Sequence, residues 1–207
     1  MSEMWPLARI DLLEIWNYYL SLEDDLKNTS RYVEPSGQEN VYSFEFAKLL
    51  ILACTEIESV FKIICNIIKG EPVKGDISTY KEVILGKYPK IVETVILPTR
   101  LGYKIRPFSH WKDGKLPWWS AYQAVKHNRG DCFNEATYIN AATAIGALYI
   151  LIVYLGKITG IPFNDAQSNY FFSDYCHQIF CVAPPKQLPD WNCQEKCSRK
   201  THKIDAR

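Results

Sequence analysis

Residues 117–133, PWWSAYQAVKHNRGDCF, concentrate groups that can stack, exchange protons and hold phosphate. Lys126, His127, Asn128 and Arg129 follow one another directly, with Trp118, Trp119 and Tyr122 one to two helical turns ahead. Histidine is the side chain suited to proton transfer near neutral pH. His127 could therefore take the proton of a ribose 2′-hydroxyl or protonate a leaving oxygen. Lys126 and Arg129 would offset the charge growing on a phosphorane, one as a point charge and the other as a two-pronged donor. Asn128 could orient the phosphate. Trp118, Trp119 or Tyr122 could stack an unpaired base, as single-stranded RNA is usually held.

Helical geometry limits how these groups cooperate. On one helix Trp118, Tyr122 and Lys126 form one stripe, and Trp119, Gln123 and His127 the next. Arg129 lies about 60° from Lys126 but roughly 160° from His127. One straight helix cannot aim both at the same atom. They can meet if the helix unwinds at Gly130, which suits a C-terminal cap, or across a two-fold axis between two copies. A purely structural account also exists: basic residues in a last turn complement the helix dipole, and the tryptophans anchor the helix to a core.

The elements that must position this stretch are helical. Residues 8–29 repeat Leu12, Ile15, Trp16, Tyr19, Leu22 and Leu26 at three- and four-residue steps. A loop at 33–40 leads to Ser43 as N-cap of a broadly apolar helix to Lys69, closed by Gly70 and Pro72. Within it Glu56 lies beside Ala53, Val60 and Ile63. Either it reaches solvent past them, or it is a buried acid paired with a base from another helix. As such a partner it could fix the tautomer of His127. A third, shorter helix is expected over about 76–93, ending near Pro89 or Glu93. Residues 94–117 carry prolines and glycines and read as an irregular insertion, with extended pieces near 95–97 and 103–106, of the kind that more often has a function. A short helix from Trp118 and a long one from about Asn134 to Lys157 follow. Residues 161–207 form an aromatic, basic-ended C-terminal arm. The expected class is all-α, with a helical domain over 1–160.

Composition narrows the function. Of 207 residues 24 are basic and 23 acidic, so nucleic-acid binding would need a local patch rather than bulk charge. Phosphate-loop, dinucleotide-fingerprint, serine-elbow and zinc-protease motifs do not occur. The seven cysteines, with an acidic amphipathic start in place of a basic and then apolar leader, suit free thiols in a cytoplasmic protein. Cys176, His177, Cys181, Cys193, Cys197 and His202 could ligate metal. They lack the two-residue knuckle spacing of structural zinc sites, so no metal or other cofactor is expected. Residues 136–156 carry no charge and are long enough to span a bilayer. Their Ala-, Thr- and Asn-rich first half and the absence of a basic flank favour a buried core helix, so no membrane is expected.

The segments FEFAKLLILACTEIESVFKIIC (44–65) and WWSAYQAVKHNRGDCFNEATYINAATAIGALYILIVYL (118–155) resemble the HEPN superfamily. AYQAVKHNR is similar to a motif AYxxVKHNR of bacterial HEPN-like proteins of uncharacterised function. The resemblance covers roughly residues 8–157 and implies a HEPN-like antiparallel helical bundle. It also implies a homodimer whose two basic motifs share one cleft, and metal-independent cleavage or binding of RNA. The setting it suggests is phage defence or a toxin–antitoxin pair, with an antitoxin or defence-system protein as a further partner. On that basis His127, Arg129 and Lys126 are the catalytic candidates, and Asn128, Trp118, Trp119, Tyr122 and Glu56 the substrate-side ones. The order of the motif departs from the family, which places Arg four to six residues before His, whereas Arg129 here follows His127. Arg106-Pro-Phe-Ser-His110 has the family order but is one residue short and contains a proline. The alternative is a non-catalytic HEPN-like module that binds a nucleotide or a protein.

Overall fold

Local signals set the helix ends. The side chain of Ser43 accepts the Phe46 N–H, and Gly70, at φ 73°, closes the same helix with its N–H on the Asn66 carbonyl. Without a Cβ, glycine enters that left-handed conformation at no steric cost. This is α2, Phe44–Lys69, bounded as expected from its caps. A computed structural model describes residues 4–98 and 100–160. Besides α2 it contains α1 (Met4–Thr29), α3 (Ile77–Lys87), α4 (Pro117–Cys132) and α5 (Tyr138–Ile158). The described residues hold no strand, and the fold is all-α. The C-terminal arm and its Cys/His ligands lie outside them.

Two boundaries differ from expectation, and the third helix takes the earlier of its two expected ends. The first helix begins at Met4 rather than residue 8. The third ends at Lys87, because Pro89 disfavours the helical conformation at Tyr88, which sits at φ −126°, ψ 67°; a 3-10 turn at Ile91–Glu93 follows. The last begins at Tyr138, where the Thr137 hydroxyl accepts the Asn140 N–H, and residues 133–135 form a separate 3-10 turn.

Side-chain pairs fix the helix directions. Lys48 near the start of α2 meets Asp25 near the end of α1 at 3.4 Å, so these helices run antiparallel. The Trp119 ring at the start of α4 lies 6.3 Å from Phe61, well along α2. Phe133, just beyond α4, lies 4.7 Å from Phe44 at the start of α2. Hence α4 is also antiparallel to α2. Phe46 against Tyr138 brings the starts of α2 and α5 together, so those two run parallel. The bundle core centres on the packing of α2 against α5, with α1 and α4 alongside. Alanines and Gly146 on α5 let it bury almost all of its surface. It is the one described helix long and apolar enough to cross a membrane, but 83% of its most apolar window is buried inside the bundle.

The insertion is a packed structure rather than an open loop. Ile96 and Ile105 exchange backbone hydrogen bonds at 2.9 and 3.0 Å, within the two expected extended pieces. Beyond them Phe108 and Trp111 pack on each other, and Trp111 stacks on Phe61 at 5.2 Å. The Trp118 indole N–H closes the unit onto the Pro107 carbonyl at 2.8 Å.

Candidate functional site

The end of α4 presents four consecutive polar side chains, Lys126, His127, Asn128 and Arg129, all exposed. The helix does not continue evenly through them. Asn128 sits at φ −142°, ψ 53°, outside the helical region, so α4 is two helical pieces joined between His127 and Arg129. Asparagine suits such a point because its side chain competes with the backbone for hydrogen bonds. Here its amide donates to Asp131 at 3.0 Å. Unwinding at Gly130 is one of two ways in which His127 and Arg129 could meet; the break lies two residues earlier. Gly130 is not among the glycines of positive φ, and helix resumes through it to Cys132. The break removes the geometric bar that a straight helix sets between His127 and Arg129. Neither side chain has a hydrogen-bond or ion-pair partner among the described residues.

Lys126 is held differently. Its ammonium donates to the Tyr122 hydroxyl at 3.0 Å and lies 5.2 Å from the centre of that ring, one turn back along the expected stripe. The Tyr122 bond, its largest influence, and the nearby Glu58 carboxylate raise the lysine above its ordinary value, so it keeps its proton. Beneath it the fully buried Cys54 thiol is pushed well up by desolvation, only partly opposed by the Lys126 charge. A thiol so desolvated is a packing group, not a nucleophile.

The stacking role expected of Trp118, Trp119 and Tyr122 has no exposed ring face to act through. Trp118 and Tyr122 are 1% exposed and Trp119 9%. The three rings pack among themselves, with Phe108 and Phe61. Tyr122 instead positions Lys126.

Glu56 stands apart from the cluster. Cys54 and Glu58 share the side of α2 that senses Lys126, and Glu56 is about 160° around the helix from Glu58. The titratable group that senses it is Tyr18 on α1. Half-buried, it has a carboxyl raised by desolvation and no hydrogen-bond or ion-pair partner among the described residues. It is thus the acid reaching past apolar neighbours, and it does not orient His127. Arg106 and His110 are exposed in the insertion, at the Trp118 end of α4. Some nine helical residues, about 14 Å, separate that end from His127.

Two features escaped the sequence reading. Asp131 anchors the break through an i,i+3 contact that the spacing could have suggested. The aromatic run Tyr42-Ser-Phe44 stands exposed beside Phe133. Among the described residues no group of three His, Cys, Asp or Glu side chains could hold a metal ion. The chain matches no protein-family model, no curated protein and no solved structure, and the chemistry of the cluster has to be read from its own geometry.

Proposed function

We propose that this chain is a HEPN-like, RNA-binding and RNA-cleaving effector that works without metal through Lys126, His127, Asn128 and Arg129. The observation that carries the proposal is the backbone break at Asn128 between two exposed, unpaired side chains, His127 and Arg129. A helix decorated only to complement its dipole has no need of an interruption there.

In the proposed reaction His127 removes the 2′-hydroxyl proton, and the 2′-oxygen attacks the adjacent phosphorus. The bond from phosphorus to the 5′-oxygen breaks, and that oxygen is protonated as it leaves. Lys126 and Arg129 offset the charge on the phosphorane. Base and acid are two roles, and each chain offers one histidine in the cluster, so a homodimer with two clusters facing one cleft would supply both. A defence or toxin–antitoxin setting, with a partner protein restraining the activity, is consistent with such an enzyme.

The test is incubation of labelled single-stranded RNA with purified protein in EDTA, beside His127→Ala and Arg129→Ala. Cleavage by the wild type alone supports the proposal. Intact RNA in all three, with binding retained, would leave a non-catalytic RNA-binding module.

A further inference from the structure

Among the described residues a cluster of aromatic rings is left uncovered just beyond the end of α4 that carries Arg129. Phe44 is 75% and Tyr42 52% exposed. Between them lies the half-buried ring of Phe133, 4.7 Å from Phe44 and 5.5 Å from Tyr42, the latter edge-on. A phenylalanine with three-quarters of its surface in water gains little from folding, and three such rings together form a patch rather than scattered exposure.

The backbone under the rings is tied down independently of their burial. Ser43 N–H donates to the Ala136 carbonyl and Tyr138 N–H to the Val41 carbonyl, with Tyr42 bridged to Thr137. The backbone that carries the rings is therefore preorganised. Arg129 stands four residues before Phe133, exposed and unpaired. Of the neighbouring carboxylates Glu45 is engaged by Lys48 and Asp131 by Asn128, which leaves Glu135 and, in the depression beside Tyr42, Glu39. An open depression of about 370 Å³, lined by residues 37–42, begins at Tyr42.

We infer that Phe44, Tyr42 and Phe133 form a stacking shelf for the bases of a single-stranded RNA whose phosphates Arg129 and Lys126 hold, an inference that rests on the RNA function proposed for that cluster. Aromatic faces accept any base, so the shelf selects for unpaired strand and not for sequence. The adjacent guanidinium supplies the charge complement that a dry apolar protein contact would have to bury at a cost. Removing Glu135 should strengthen binding by lifting an unengaged carboxylate two residues from Phe133.

The experiment uses the full chain with two fluorescently labelled strands of equal length, an oligouridylate protected by 2′-O-methyl groups and an abasic strand. Wild type should bind the base-bearing strand more tightly. Phe44→Ala, on an exposed ring, should weaken that strand by roughly tenfold and leave the abasic affinity unchanged. Phe44→Trp should restore the preference. Arg129→Ala should weaken both strands and lessen the dependence on salt. If wild type binds neither strand, the RNA function itself fails and the shelf with it. If wild type binds both equally, or Phe44→Ala leaves the base preference intact, the shelf alone fails. A change of oligomeric state in Phe44→Ala with RNA affinity unaltered would make the patch a self-association surface and overturn the inference.

Discussion

The ammonium of Lys126 donates to the Tyr122 hydroxyl at 3.0 Å while lying 5.2 Å from the centre of the same ring. A flexible lysine is thereby held in one place on an otherwise solvated helix face. Tyr122→Phe keeps the buried ring and removes the hydroxyl. Its stability should fall by about 1 kcal/mol or less, because the freed ammonium is exposed to water. RNA cleavage should drop to a level between wild type and Lys126→Ala. Equal rates for Tyr122→Phe and wild type would mean that the placement of Lys126 has no bearing on the chemistry.

Asn128 gives a second, sharper case. Alanine there has the higher helix propensity, by up to about 0.7 kcal/mol, and loses the contact with Asp131. Thermal stability of Asn128→Ala should therefore change little. A continuous helix would turn Arg129 away from His127, so RNA cleavage should fall by at least an order of magnitude. Helix content by circular dichroism checks that the break has closed. Full activity in a variant with a closed break would remove the role assigned to it.

For Glu56 the pH dependence can be signed. Burial raises its carboxyl above 4.5, so the folded chain binds that proton more tightly than the unfolded chain. Stability is then highest below the ordinary carboxylate value and declines as pH rises through the raised one. Glu56→Gln removes the charge. It should be more stable than wild type at neutral pH by roughly 0.5 kcal/mol after solvent screening, about 1–2 °C in Tm. The difference should vanish in acid. Because Glu56 faces Tyr18, cleavage should be unchanged; a loss of activity with the fold intact would restore it as a positioning residue for His127.

Trp118 separates anchoring from stacking. Trp118→Phe shrinks a buried ring and leaves the Pro107 carbonyl without its indole donor. Denaturant unfolding should show a loss of about 1–3 kcal/mol. Under conditions where the variant is folded, RNA affinity should match wild type. A selective loss of RNA affinity would instead place the indole against substrate.

What the sequence conveyed follows the range of the forces involved. The ends of α2 were legible because Ser43, Gly70 and Pro72 act within a turn of themselves. The stripe joining Tyr122 to Lys126 followed from helical spacing alone. The start of α5 did not: Ala136, Tyr138 and Ile139 are held by hydrogen bonds to Ser43, Val41 and Glu39, almost a hundred residues away in sequence. Trp118 and Trp119 carry no local mark of facing inward. Their burial depends on Phe61, Phe108 and Trp111, brought up by the insertion. Glycine, the usual signal of a helix end, pointed to Gly130 as the place a break could fall, whereas the break is at Asn128, beside its side-chain bond to Asp131. Tyr42 and Phe44 flank the Ser43 cap, and only the packing of residues 133–138 against them shows their rings facing outward.

The central claim is that the Lys126–Arg129 cluster cleaves RNA through its 2′-hydroxyl. The direct measurement is end-group analysis of RNA incubated in EDTA with wild type and His127→Ala, beside the same strand carrying 2′-deoxy sugars throughout. The account predicts products ending in 2′,3′-cyclic phosphate and 5′-hydroxyl from wild type only, and an intact deoxy strand. Cleavage of the deoxy strand, or undiminished cleavage by His127→Ala, would contradict it.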